Sequence, residues 1–119
     1  MRYVALTLIA AVMPIAGLAE SPEVEDVKIS KVGMDWRVDV TLRHPDTGWD
    51  HYADGWEVLD HEGNVLGYRE LLHPHVDEQP FTRSLHNVVL PDGAREIRVK
   101  TRCNRDGWAP HAHKVDLTN

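Results

Sequence analysis

Three observations predict an all-β fold. Apolar and polar residues alternate over several short segments, clusters of Pro, Gly, Asp and Asn separate those segments at sandwich spacing, and no run is long enough for a confident helix in the body of the chain. Together they predict seven antiparallel strands in two packed sheets, an immunoglobulin-like or fibronectin III-like sandwich, with a small barrel as the rival closure.

The N-terminus stands outside that pattern. Met1-Arg2-Tyr3 is basic, Val4 to Met13 is apolar, and Gly17 and Ala19 are small, which are the three parts of a secretory signal peptide cleaved between Ala19 and Glu20. Pro14 and Gly17 break the run and the acidic Glu20-Ser21-Pro22-Glu23 follows it, so it is short and wrongly flanked for a membrane span. The residue directly after the cleavage point is Glu20 and not Cys, which argues against a lipid anchor. The expected organisation is a signal peptide over 1–19 and a single β-sandwich domain over 20–119, large enough for one modest core.

Each strand has its own pattern. Val24 to Ser30 is a weakly patterned first strand. Met34, Trp36, Val38, Val40 and Leu42 alternate with polar residues as a half-buried second strand, and the same parity carries His44 inward. Pro45 to Gly55 reads as a loop, with Trp49 and Tyr52 expected to fold it back onto the body. Trp56 to Asp60, the tight turn His61 to Asn64 and Val65 to Leu71 make a hairpin, in which Trp56 is placed to serve as a core tryptophan. Phe81 to Leu90 is the fifth strand, with Phe81, Leu85 and Val89 on one face. After the Pro91-Asp92-Gly93 turn, the sixth strand points Ile97, Val99, Thr101 and Cys103 inward. The seventh strand puts His111 and His113 in phase with Val115 and Leu117.

Up-and-down connectivity through these strands decides where the chemistry collects. The loops after the second, fourth and sixth strands all fall at one end of the sandwich. They bring there His44, His51, His73, His75, His111 and His113, six of the eight histidines, with Asp50, Asp54, Asp77, Glu78 and Cys103. His61 falls at the opposite end and His86 in mid-strand. Imidazoles with a thiolate are ligands for copper or zinc, whereas calcium and magnesium take mostly oxygen. The candidate ligands are therefore His51, His73, His75, His111, His113 and Cys103, and Asp50, Asp54, Asp77 and Glu78 are candidates to orient the rings. His44 ranks last because capping the second strand already accounts for it. For each of the others the plainer account is an exposed loop histidine or a satisfied polar residue at a strand start.

Other classes are weighed on the same residues. The formal charge is −6, and the loss of Arg2 with the signal takes it to −7; this balance argues against a dedicated nucleic-acid binder, whose backbone contacts need clustered Lys and Arg. Cys103 is the only cysteine, so no internal disulfide forms. Met34 is the one methionine after the signal and lies at the far end of its strand, against a methionine-rich cuprous carrier. Trp49, Tyr52 and Trp108 with Arg105 offer a non-metal alternative, a surface for a peptide, a glycan or another exported protein. No nucleophile elbow, zinc-protease helix signature or phosphate loop is present, and a buried strand cysteine is poorly placed to attack, so no catalytic residue is assigned.

Gly48-Trp49-Asp50-His51-Tyr52-Ala53-Asp54, His73-Pro74-His75 and Glu78-Gln79-Pro80-Phe81-Thr82-Arg83-Ser84 resemble motifs of a group of small exported bacterial proteins of unassigned function. The likeness covers roughly residues 44–103. It implies export from the cell, with the periplasm as destination, and no activity.

Overall fold

The computed structural model describes residues 21–117. The predicted signal segment, 1–19, lies outside the described residues. Among those residues there is no helix, and eight strands form two antiparallel sheets packed as a β-sandwich. The strands are β1 Glu23–Val32, β2 Asp35–Arg43, β3 Ala53–Leu59, β4 Val65–Glu70, β5 Phe81–Val88, β6 Glu96–Cys103, β7 Gly107–Trp108 and β8 His113–Asp116. One sheet has the order β1-β2-β5; the other has β4-β3-β6, with β7 and β8 both lying along the free edge of β6.

Alternation in β2 and β6 builds the two inner faces. Val38, Val40 and Leu42 from one sheet meet Trp56, Val58, Ile97 and Val99 from the other, and all are at most 1% exposed. Burying each such side chain is worth about 1.5–3 kcal/mol, so this layer is the main source of stability. Trp56 sits at its centre as expected. At the β4 edge the sheets approach closely: a Cβ on Gly67 would lie 2.7 Å from Leu85 Cδ2, so glycine is what lets β4 close against β5.

Four expectations are corrected. Met34 is 91% exposed, because the chain turns at Gly33 and Met34 and β2 starts only at Asp35. Val88 rather than Val89 faces the core: Asn87 adopts a positive φ of 59°, the β2–β5 register shifts by a bulge there, and the alternation changes phase. Val89 is left 64% exposed. β3 begins three residues early, at Ala53. The loop expected between the sixth strand and the last holds a short extra strand, because Gly107 and Trp108 pair with Cys103 and Arg102 before the chain reaches β8 at His113, which makes eight strands where seven were expected.

Candidate metal centre

Three segments deliver side chains to one end of the sandwich. β2 ends at Arg43 and its parity turns His44 inward, to 1% exposure. The following loop doubles back on itself: Thr47 N–H donates to the His51 carbonyl at 3.0 Å, and His51 N–H donates to the Gly48 carbonyl at 3.2 Å. Ala53 then pairs with Cys103 in the β3–β6 register. Asn104 fastens the loop to the β6 end. Its N–H donates to the Tyr52 carbonyl (3.1 Å), its Oδ1 accepts from Tyr52 N–H (2.8 Å), and its Nδ2 donates to the Trp49 carbonyl (3.0 Å). Those three bonds hold His51 against Cys103.

One ligand atom each from His44, His51 and Cys103 lies within 4.8 Å of the others, and all three residues are buried. The two rings meet edge to face with centroids 4.7 Å apart. Nε2 of both histidines is buried without a hydrogen-bond partner. Leaving a buried polar atom unpaired costs about 1–3 kcal/mol, and a bound cation removes that cost at both. Donor atoms on one ion at about 2.0–2.3 Å lie about 3.3–3.7 Å apart, so a modest contraction suffices for binding.

A buried carboxylate sets the chemistry of His44. Asp46 Oδ1 is 2.6 Å from His44 Nδ1 and also accepts from Ala53 N–H at 3.0 Å, while Oδ2 accepts from His75 N–H at 2.8 Å. A carboxylate only accepts, so Nδ1–H donates to it, which leaves Nε2 as the ring atom that a metal would take, the arrangement of a carboxylate–histidine–metal relay. At Cys103 the Asp106 N–H donates to Sγ at 3.2 Å, and the thiol in turn donates to Asp106 Oδ2. Asp106 Oδ2 lies 3.6 Å from that sulfur and 3.8 Å from His51 Nε2.

The predicted ligands divide. His51 and Cys103 come together, and the third member is His44, which the sequence ranked last. His75 is 4% exposed but committed elsewhere. Its Nε2 is 2.7 Å from Arg83 Nη2 and its ring stacks on Phe81 at 3.9 Å. Burial, then the Arg83 guanidinium and His73, lower its pKa, so it is held neutral and accepts from Arg83. His73 is exposed beside it, with ring centroids 4.5 Å apart, and donates from Nδ1 to the Pro74 carbonyl. His111 and His113 are exposed and do not join the group. After β7 the chain runs back along β6, so His113 pairs with Val99, roughly 13 Å from Cys103 at the strand rise of about 3.3 Å per residue.

The predicted orienting acids serve other partners. Asp50 accepts from the Thr47 hydroxyl (3.2 Å), Asp54 pairs with Arg102 (2.8 Å), Glu78 lies 3.7 Å from Arg83, and Asp77 is exposed. The orienting acid is Asp46, which sequence reasoning missed. Its signal was its place two residues after an inward-facing histidine, across Pro45, where an extended segment points both side chains the same way. The aromatic surface is also divided: Trp49 is 66% exposed and meets Tyr52 edge to face at 5.5 Å. Trp108 instead packs with Arg102 and Tyr68 on the larger sheet. Arg105 is exposed, 3.8 Å from Asp106.

No family model matches the chain. A protein of Halomicrobium mukohataei, provisionally named a lipoprotein, is 43% identical over 77 residues, which are 65% of this chain and 37% of that protein. The chain thus spans well under half the length of that relative. A crystal structure of a hypothetical protein from Pyrococcus horikoshii OT3 superposes with a TM-score of 0.55 over 82% of this chain and 89% of that one, at 16% identity. At that identity the likeness is one of fold, and the sandwich described above recurs in a solved structure.

Proposed function

We propose that this chain is an exported transition-metal-binding protein that holds one copper or zinc ion between His44, His51 and Cys103. The observation that carries this reading is the pair of buried, unpartnered imidazole Nε2 atoms grouped with a buried sulfur. Two imidazoles and a thiolate suit copper and zinc, and a ring oriented by Asp46 is what a metal-bound histidine needs. The N-terminal pattern and the lipoprotein name of the Halomicrobium relative support export, and the periplasm is the compartment proposed. Elemental analysis of protein purified from its native compartment tests the reading. About one copper or zinc per chain is expected, lost on His44→Ala with Cys103→Ser. Protein with neither metal, and no uptake on titration, would end it.

The exposed Trp49 supports a second role for the same loops, as a contact surface for another exported protein, a peptide or a glycan. Trp49→Ala is expected to weaken capture of such a partner without changing metal content; equal capture by the variant counts against this role.

A further inference from the structure

Beside the three buried donors stands one partly exposed acid, Asp106. His44, His51 and Cys103 are 1%, 3% and 0% exposed, whereas the Asp106 side chain is 26% exposed. The tight turn from Cys103 to Gly107, closed by the Asp106 N–H to Cys103 Sγ bond and a Gly107 φ of 77°, holds the carboxylate over the sulfur. Arg105 stands 3.8 Å from Oδ1 and leaves Oδ2 toward the centre.

Distances and charge both give this carboxylate a use. On a tetrahedral ion, with bonds of about 2.1 Å to oxygen, 2.05 Å to nitrogen and 2.3 Å to sulfur, the O···S separation is about 3.6 Å and the N···O separation about 3.4 Å. Oδ2 accepts from the Cys103 thiol at 3.6 Å and lies 3.8 Å from His51 Nε2, so it is spaced as a ligand toward these two. It stands outside the group of His44, His51 and Cys103, which it joins only by moving inward. A thiolate and a carboxylate cancel the charge of a divalent ion. A cuprous ion in the same four-donor set leaves a net negative charge in a buried pocket, which is costly.

We propose that Asp106 is the fourth ligand, entering from the solvent side to complete a set of two imidazoles, a thiolate and a carboxylate that selects a divalent ion over cuprous copper. This rests on the metal-binding reading above and deepens it. The carboxylate is the one donor that solvent reaches, so it is the bond that opens when the ion enters or leaves. Without it, two imidazoles and a thiolate form a three-donor site suited to cuprous copper.

The test compares the purified wild-type protein with Asp106→Asn and Cys103→Ser by competition titration with Zn²⁺ and Cu⁺, with Co²⁺ as the spectroscopic probe. Asp106→Asn is expected to weaken Zn²⁺ by about 10- to 100-fold or more and Cu⁺ by no more than about threefold. It should also lose the intense visible bands of four-coordinate Co²⁺ while keeping thiolate-to-cobalt charge transfer. Cys103→Ser should lose both signals. Wild-type Zn²⁺ affinity and an unchanged Co²⁺ spectrum in Asp106→Asn overturn the role of Asp106 and leave the three-residue centre standing. A wild-type protein that binds none of the three ions overturns the centre itself.

Discussion

Replacing Asp46 with Asn exchanges one buried carboxylate oxygen for an NH2 group at nearly constant volume. The wild-type side chain is fully buried and accepts three bonds, from His44 Nδ1, Ala53 N and His75 N, at 2.6, 3.0 and 2.8 Å. The amide can keep its oxygen toward His44 and Ala53, but its NH2 then faces the His75 N–H, donor against donor. One charge-assisted bond is lost, worth about 1.5–3 kcal/mol, and the bare His75 N–H adds to that, so a destabilisation of about 2–4 kcal/mol is expected. For a domain of this size each kcal/mol moves Tm by about 4–8 °C, and the shift should fall at roughly 10–25 °C. The same change loosens the tautomer and direction of His44, so metal affinity should drop about 10- to 100-fold. Thermal unfolding followed by near-UV circular dichroism, with a metal competition titration, reads both effects. A Tm within about 3 °C of wild type, together with unaltered affinity, would refute the view that the pole hangs on Asp46.

Three further expectations follow from the same geometry. His111→Ala and His113→Ala, alone or together, should leave metal affinity within about twofold of wild type; a larger loss in titration would return these residues to the site. His75 has its pKa lowered from 6.5, by burial first, then by Arg83 and His73, with Glu78 and Asp46 opposing. Its unfolded form therefore binds the proton more readily, so its stability contribution is complete above about pH 6.5 and is lost as pH falls below that value. In metal-free protein the urea midpoint should decline from about pH 6.5 to 5 more steeply in wild type than in His75→Phe, and the reverse ordering would contradict the assignment. Trp56→Ala, at 0% exposure in the centre of the core, should cost about 3–5 kcal/mol. A loss under about 1 kcal/mol in denaturant titration would mean that the core packs differently.

Much of the fold was legible because strand parity is a local property. Val38, Val40 and Leu42, and Ile97, Val99 and Cys103, alternate with polar neighbours and are buried as the alternation requires. Parity also sent His44 inward, yet its chemical weight was hidden: a histidine at a strand end looks the same whether it caps the strand or holds an ion. Where the backbone departs from even alternation, local reasoning lost phase, as at Asn87, whose positive φ exchanged Val88 for Val89.

The sequence by itself determined an all-β chain, its two inner faces, and a wider gathering of six histidines and Cys103 at one end, within which it did not single out His44, His51 and Cys103, since patterning and strand direction place residues at a pole without saying which touch. Tertiary structure alone decided which side chains touch. The Ala53–Cys103 register and the Asn104 clasp bring His51 to the thiol, the edge pairing of β8 carries His113 away, and Asp46 reaches three partners in two loops. Such contacts depend on register and loop closure between segments far apart in the chain, where a shift of one residue, about 3.3 Å, moves a side chain to the other face.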